Sequence, residues 1–297
     1  MPLPRTAATF ASPIMVAKRW VEGMEFPANR PLINVSQAAP VDPPPPSMRE
    51  AMAEMVLSDP SVHLYGPVLG LPALREEIAA QWSTAYDGII RPDQVAVTAG
   101  CNQAYTAAIA SLCAEGDEVI LPAPFWTTYP EAIKLAGGVP VEVFAGAEHG
   151  YKVTPEMLEE KLTARTKAIL HCSPSNPTGA VFSPEETRAL GAWAAEKGIF
   201  VIADEIYQQL TYDGTPFTSI AGACPELGEN VIVLNGVAKT YAMTGWRVGW
   251  LIGPADVVKA VSTLQSHLTS NVNNIAQRAA VAALTGPQDD VTTMGEA

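Results

Sequence analysis

Short apolar runs alternate with amphipathic stretches of helical period along most of the chain. Strands are predicted at residues 168–172 and 199–204, where the apolar runs are continuous, as in strands buried on both faces of a sheet. Further strands are predicted at residues 94–98, 117–121, 139–143 and 230–234. Helices are predicted around them at residues 48–57, 72–84, 101–114, 129–136, 155–162, 184–197, 254–265 and 275–284. The alternation predicts an α/β fold with a mostly parallel sheet covered by helices on both faces.

The prolines at residues 43–46 interrupt this pattern. Consecutive prolines cannot continue a helix, so they predict a stiff polyproline II connector between an N-terminal arm and the main domain. We therefore predict an N-terminal arm with part of a small domain at residues 1–46 and a large domain at 47–285. Residues 286–297 are predicted to begin a C-terminal small domain. Because the final residues are typical of a helix that is cut off, we expect the chain to be a fragment.

The composition of the chain disfavours several classes of protein and of binding partner. The chain of 297 residues has 18 Lys and Arg against 31 Asp and Glu, a formal charge of −13, which disfavours nucleic acid and anionic membranes as partners. Its four cysteines and four histidines show neither C-x-x-C nor H-E-x-x-H spacing, so no disulfide scaffold or metal site is predicted. Without a signal peptide or an apolar run of about 20 residues, a soluble cytoplasmic protein is expected.

Ligands of such sheets bind beyond the carboxyl ends of the strands, and candidate ligand-binding residues follow four of the predicted strands there. Gly100 leads into a helix, which indicates either a tight turn or a phosphate site at the helix N-terminus. Asn176 lies in an Asn-Pro-Thr-Gly turn that is either an ordinary loop or a rigid holder of its amide. Asp204 is either a helix N-cap or the counter-ion of a ligand cation.

Lys239 follows the strand at 230–234 in an apolar, glycine-punctuated stretch. Lysines are usually solvated at the surface, but desolvation here would lower the pKa of the amine and free it for Schiff-base chemistry. Arg247, eight residues later, is either a surface cation or an anion clamp.

These motifs are more specific together than singly. In chain order they are Tyr65-Gly66, Gly70, Leu74-Arg75, Gly100-Cys101-Asn102-Gln103-Ala104, Pro124-Phe125-Trp126, Asn176-Pro177-Thr178-Gly179, Asp204-Glu205-Ile206-Tyr207, Lys239 and Gly245-Trp246-Arg247. Over about residues 33–284 the chain resembles the class I/II, fold-type I aminotransferases of the aspartate aminotransferase type, which depend on pyridoxal 5'-phosphate (PLP). The resemblance implies a three-layer α/β/α fold with a large PLP-binding domain and an incomplete small domain.

The resemblance also implies roles around the cofactor ring. Lys239 would bind PLP covalently as an aldimine, and Asp204 would keep the pyridine nitrogen protonated. Tyr207 and Asn176 would hydrogen-bond the phenolic oxygen of the ring. Trp126 would stack on the ring face, and a core aromatic is the less favoured alternative for it.

At the other end of the cofactor, the resemblance implies that the backbone amides of Cys101 and Asn102 hold the phosphate together with Arg247. Tyr65 is similar to the family tyrosine that reaches the phosphate of the partner subunit. This similarity implies a homodimer with sites at the interface.

For the substrate, the resemblance implies contacts with Ala38, Trp126 and Asn176. The family usually has glycine where Ala38 stands, and serine where Ala238 precedes the lysine. The arginine that binds the substrate α-carboxylate in this family has no counterpart that can be assigned in this chain.

The activity implied is transfer of an amino group between an L-amino acid and a 2-oxo acid by a ping-pong mechanism, with aspartate and 2-oxoglutarate as the expected pair. Two alternatives stay open. One is another PLP reaction on the same scaffold, such as a β-lyase or a cyclopropane-forming synthase. The other is a non-catalytic binding module, against which the intact Lys239, Asp204 and Arg247 argue.

Overall fold

The computed structural model describes residues 5–37, 39–40 and 43–296. The seven strands within them are β1 Val95–Thr98, β2 Glu118–Ala123, β3 Val139–Phe144, β4 Thr166–Cys172, β5 Phe200–Asp204, β6 Val231–Gly236 and β7 Gly249–Ile252. They form one sheet in the order β1-β7-β6-β5-β4-β2-β3. Strands β3, β2, β4, β5 and β6 run parallel, whereas β7 is antiparallel to both β1 and β6. The prediction of a mostly parallel sheet is therefore confirmed, and β7 is an addition to the predicted strands.

Most helices lie where the sequence pattern predicts them, and those at Pro13–Arg19 and Ile220–Ala223 are additions to the predicted helices. The helices are α1 Pro13–Arg19, α2 Pro46–Ser58, α3 Pro72–Ala85, α4 Cys101–Leu112, α5 Thr128–Ala136, α6 Pro155–Glu159, α7 Pro184–Lys197, α8 Ile220–Ala223, α9 Ala255–Leu268, α10 Asn274–Thr285 and α11 Asp289–Glu296. The predicted connector reaches one residue too far, because Pro46 is the first residue of α2, a position at which proline needs no amide hydrogen. The predicted division at residues 46/47 and 285/286 stays a prediction.

Two apolar clusters lie on opposite faces of the sheet. One is formed with α4, α5 and α9, and the other with α2, α3, α7, α8 and α10. Side chains alternate along β5, so Ile202 packs in the first cluster while Val201 and Ala203 pack in the second. This is the three-layer arrangement predicted from the alternation of strands and helices. It also means that consecutive residues at the end of β5 face different helices.

The carboxyl ends of β1, β4, β5 and β6 meet at one edge of the sheet, where α4 begins directly after β1. Gly100 precedes α4 with a φ of 82°, a conformation that glycine adopts without strain. At the start of β7, a Cβ on Gly249 would lie 2.7 Å from the amide nitrogen of Cys101. Glycine at both positions lets β7 and the helix N-terminus pack backbone to backbone.

Within the described ranges, no helix is long and apolar enough to cross a membrane. The same residues contain no group of three or more His, Cys, Asp or Glu side chains that could hold a metal ion.

Candidate active site

Asp204, the last residue of β5, is a buried carboxylate at the carboxyl edge of the sheet. Its Oδ2 accepts a hydrogen bond of 2.7 Å from the hydroxyl of Tyr129, and its Oδ1 accepts one of 3.3 Å from the amide of Ile206. Burial raises the pKa of Asp204, while the two hydrogen bonds and the positive charge of Lys239 oppose the rise. The carboxylate is therefore dry but has donors and a cation to stabilise its ionised form.

Lys239 lies three residues beyond β6 and is half-buried. Its Nζ stands 5.5 Å from the ring centre of Tyr207. Burial lowers the pKa of Lys239, and the charge of Arg247 adds to this, whereas Cys101 and Asp204 act in the opposite direction. Partial desolvation of this kind increases the share of neutral amine, which is the nucleophilic form.

Asn176 and Tyr207 form a polar pair next to this lysine. The side-chain amide of Asn176 donates a hydrogen bond of 3.3 Å to the hydroxyl of Tyr207. Burial raises the pKa of Tyr207 to about 12, so the phenol keeps its proton. Both residues line, with Lys239, an open cleft of about 950 Å³ whose far wall includes Thr293 and Met294 of α11.

The N-terminus of α4 and Arg247 form the cationic end of the site. Arg247 has a φ of 55°, in the left-handed region that non-glycine residues rarely adopt. Its Nη1 donates to the carbonyl of Thr244 at 2.9 Å and its Nη2 to that of Ala99 at 3.4 Å. The guanidinium therefore stands beside the first turn of α4, where the amides of Gln103 and Ala104 already donate to the carbonyl of Gly100 and those of Cys101 and Asn102 come before them. Together they provide an anion cradle.

Cys101 opens α4, and its thiol donates a hydrogen bond of 3.1 Å to the carbonyl of Asn235. Burial raises the pKa of this thiol well above its usual range, so the side chain is neutral. Asn102 follows it and is exposed to solvent at the same helix end. Because the Cys101 thiol is bonded to Asn235, its backbone amide is the group of this residue that can face an anion.

The other residues predicted to bind cofactor or substrate are Trp126, Tyr65 and Ala38. Trp126 is half-buried just before α5 and packs edge-to-face on Tyr129, with ring centres 5.6 Å apart. Tyr65 is 91% exposed. Ala38 lies outside the described residues.

The site also contains three residues that the sequence pattern did not single out, namely Tyr129, Cys172 and Asn235. Tyr129 bonds Asp204, and its hydroxyl also lies 3.6 Å from the sulfur of Cys172. The side chain of Asn235 donates to the carbonyl of Glu205 at 3.0 Å and so ties β6 to the end of β5. A polar residue within an otherwise apolar strand was the available signal for Asn235, whereas nothing in the local sequence separates Tyr129 from a core aromatic.

The residues present fit PLP, the cofactor that the resemblance implies. PLP carries a phosphate dianion, a cationic ring nitrogen, a phenolic oxygen and an aldehyde. The site offers the α4 N-terminus with Arg247, the buried Asp204, the Asn176 and Tyr207 pair, and the amine of Lys239. The close backbone approach at Gly249 keeps side chains away from the anion cradle.

Comparison with known proteins gives consistent matches. The profile of the family described as "Aminotransferase class I and II" matches residues 30–297. An aspartate aminotransferase of Streptomyces avermitilis is 51% identical over 270 residues, which cover 91% of this chain and 66% of that protein. The chain spans less than two thirds of the length of this relative and 59% of the aspartate aminotransferase of Geobacillus stearothermophilus.

The fold comparison agrees. The structure of the Thermus thermophilus aspartate aminotransferase with maleate superposes with a TM-score of 0.89 at 33% sequence identity, covering 100% of this chain and 75% of that one.

Proposed function

The chain belongs to the class I and II aminotransferase family, and we propose that it forms the cofactor-binding part of a PLP-dependent transaminase. The reaction is transfer of an amino group between an L-amino acid and a 2-oxo acid. The observation that carries the proposal is the position of Lys239, half-buried at the sheet edge that also holds Asp204 and the N-terminus of α4. An amine, a buried anion and an anion cradle in one place match the three charged ends of PLP.

We assign the residues that hold the cofactor as follows. The amides of Cys101 and Asn102 bind the phosphate together with Arg247, which the αL turn places beside them. Asp204 binds the protonated ring nitrogen. The ring face lies against Trp126.

The other ring contacts come from the Asn176 and Tyr207 pair, which donates hydrogen bonds to the phenolic oxygen. When bound, PLP supplies an aldehyde that takes up the amino group and a ring that accepts electrons from the substrate. The Nζ of Lys239 removes the proton from the substrate Cα, because its lowered pKa increases the share of neutral amine that can act as a base. In the second half of a ping-pong cycle Lys239 returns a proton to the Cα of the product.

For the substrates, we propose aspartate and a 2-oxo acid such as 2-oxoglutarate. Support comes from the names of the relatives, which include several aspartate aminotransferases. Maleate, the molecule named with the Thermus structure, is a four-carbon dicarboxylate like aspartate. The family residue near the substrate carboxylate corresponds to Ala38, and its role stays a prediction.

We further propose a homodimer in which Tyr65 of one copy reaches the phosphate site of the other. Its side chain is 91% exposed, as a residue that contacts a second copy would be in a single chain. The N-terminal arm exposes further large apolar side chains, among them Trp20 at 70% and Ile33 at 82%. Several large apolar side chains exposed in one segment are consistent with a surface that is covered in an assembly.

The proposal is tested by mixing the protein and PLP with ¹⁵N-labelled aspartate and 2-oxoglutarate. We expect the label to appear in glutamate, and no transfer in the Lys239→Ala variant. Release of labelled ammonia without any need for 2-oxoglutarate would instead indicate a lyase. If a wide panel of amino acid and oxo acid pairs showed no transfer, the transaminase proposal would be wrong.

A further inference from the structure

Tyr129 contacts Asp204 and belongs to no motif that pointed to the site. It lies in the first turn of α5 and its side chain is 2% exposed. Its ring packs edge-to-face on two aromatics, Tyr105 at 5.0 Å and Trp126 at 5.6 Å between ring centres. These contacts fix the ring, so the direction of its hydroxyl is set by packing.

The hydroxyl of Tyr129 has one hydrogen to donate and two acceptors within reach. Oδ2 of Asp204 is 2.7 Å away, and the sulfur of Cys172 is 3.6 Å away. A carboxylate is the stronger acceptor, and the shorter distance agrees with this. Burial, reinforced by the charge of Asp204, raises the pKa of Tyr129 well above its usual range. The hydroxyl therefore keeps its proton and donates a hydrogen bond to Asp204.

The two oxygens of Asp204 are held unequally. Oδ2 accepts the short bond from Tyr129, while among the described residues Oδ1 accepts the longer bond of 3.3 Å from Ile206. A carboxylate can accept about four hydrogen bonds, so Oδ1 has room for a further donor. Losing the Tyr129 bond would leave the carboxylate with one weak anchor in a dry environment.

The titratable groups that face Asp204 leave few other sources of stabilisation. They are Cys101 and Tyr105 on α4, Tyr129 on α5, Cys172 on β4, Glu205 and Tyr207 after β5, and Lys239 after β6. Among these described groups, Lys239 alone carries a positive charge. The thiols and phenols have pKa values raised by burial and stay neutral.

We propose that Tyr129 is a positioning residue of this site, whose hydroxyl fixes the orientation of the Asp204 carboxylate and stabilises its ionised form. Asp204 thereby offers a fixed negative charge to the ring nitrogen of the cofactor. This inference rests on the proposed function for the identity of that ring. The geometry of the Tyr129 and Asp204 pair exists without it.

The first test needs no cofactor. The chain is labelled with ¹³C in the aspartate carboxyl groups, and the Asp204 signal is assigned by its absence in Asp204→Asn. In Tyr129→Phe, which keeps the ring and removes the hydroxyl, we expect Asp204 to titrate at a higher pH than in the wild type. The matched control is Tyr105→Phe, because the hydroxyl of Tyr105 is buried in the same aromatic stack without a hydrogen-bond partner in the described chain. The control should leave the Asp204 titration unchanged.

The second test measures binding of PLP by titration of its absorbance. Loss of a hydrogen bond to a charged acceptor should weaken PLP binding about tenfold or more in Tyr129→Phe. Tyr105→Phe should bind PLP like the wild type. We also expect the absorption spectrum of bound PLP to change over a different pH range in Tyr129→Phe than in the wild type. A purely structural role of Tyr129 would not produce this shift.

The outcomes separate the two proposals. A wild-type chain that binds no PLP would contradict the proposed function, while the cofactor-free titration would still decide the role of Tyr129. Wild-type titration and wild-type PLP affinity in Tyr129→Phe would overturn the inference. If Tyr129→Phe did not fold, the substitute experiment is a pH titration of the wild type with ¹³C-labelled tyrosine Cζ atoms. The Tyr129 signal must then follow the titration of Asp204, and an independent signal would overturn the inference.

Discussion

Asp204 and Glu205 are consecutive acids that face opposite sides of the sheet. Both are nearly inaccessible, with 4% and 1% exposure, and each accepts a hydrogen bond from a tyrosine. Asp204 is bonded by Tyr129 of α5 at 2.7 Å, and Glu205 by Tyr86, beside the end of α3, at 3.2 Å. Glu205 also accepts a bond of 2.7 Å from Ser219.

The difference between the two acids lies in the charges around them. Lys239 opposes the rise that burial causes in the pKa of Asp204. No cation acts on Glu205 among the described residues, and burial, with the charge of Asp204 adding to it, raises its pKa to about 7. Burial of an acid therefore marks neither residue as functional. The position of Asp204 at the sheet edge, facing an amine, separates it from a structural acid one residue away.

The largest effect is expected from Asp204→Asn. The variant removes the anion proposed to face the ring nitrogen, so that no carboxylate would keep that nitrogen protonated. We expect kcat/KM for transamination to fall by about 100- to 1000-fold. Glu205→Gln is the matched control, and we expect it to keep near wild-type activity. Equal losses of kcat/KM in the two variants would contradict the proposal that only Asp204 acts on the cofactor.

A second effect concerns stability against pH. Burial raises the folded pKa of Glu205 from its ordinary 4.5 to about 7. Its favourable contribution is therefore fully present below about pH 4.5 and is lost as the pH rises through 7. Relative to Glu205→Gln, the wild type should lose roughly 2 to 3 kcal/mol of unfolding free energy between pH 5 and pH 8. Urea unfolding of both proteins at several pH values measures this, and parallel pH curves would refute it.

The smallest effect is expected from Ser219→Ala. This change removes the 2.7 Å hydrogen bond to Glu205 and should lower the unfolding free energy by about 1 to 2 kcal/mol at pH 8. Because Ser219 lowers the pKa of Glu205, the variant should also shift the pH dependence of stability to higher pH. PLP affinity measured in parallel should not change. A loss of PLP affinity would show that the two faces of the sheet are coupled.

Much of the fold was predictable because its signals are local. The helix at residues 184–197 was predicted with its observed bounds: Ser183 and Glu186 form a capping box before it, and Gly198 ends it in the left-handed conformation. Strand β7 was not predicted, because four residues punctuated by glycines carry little periodic signal. Its place between β1 and β6 depends on tertiary contacts, which no local sequence pattern encodes. Helix α6 is shorter than predicted and ends at Glu159.

The site was predictable where its residues sit in contiguous motifs at strand ends. Lys239, Asp204, Asn176 and Tyr207 were singled out in this way, and the structure brings them to one edge of the sheet. Tyr129 was missed because its partner lies 75 residues away and its local setting is that of a core aromatic. The roles assigned to these residues, the contact of Tyr65 with a second copy and the cytoplasmic location stay predictions.

The central claim is that Lys239 is the residue that binds PLP. The most direct measurement is borohydride reduction of the protein with PLP, followed by peptide mapping of the modified lysine. We expect a near-visible absorption band that reduction abolishes, with the phosphopyridoxyl mass on the peptide containing Lys239 and none in Lys239→Ala. The same mass on a different lysine, or label that persists unchanged in Lys239→Ala, would contradict the account.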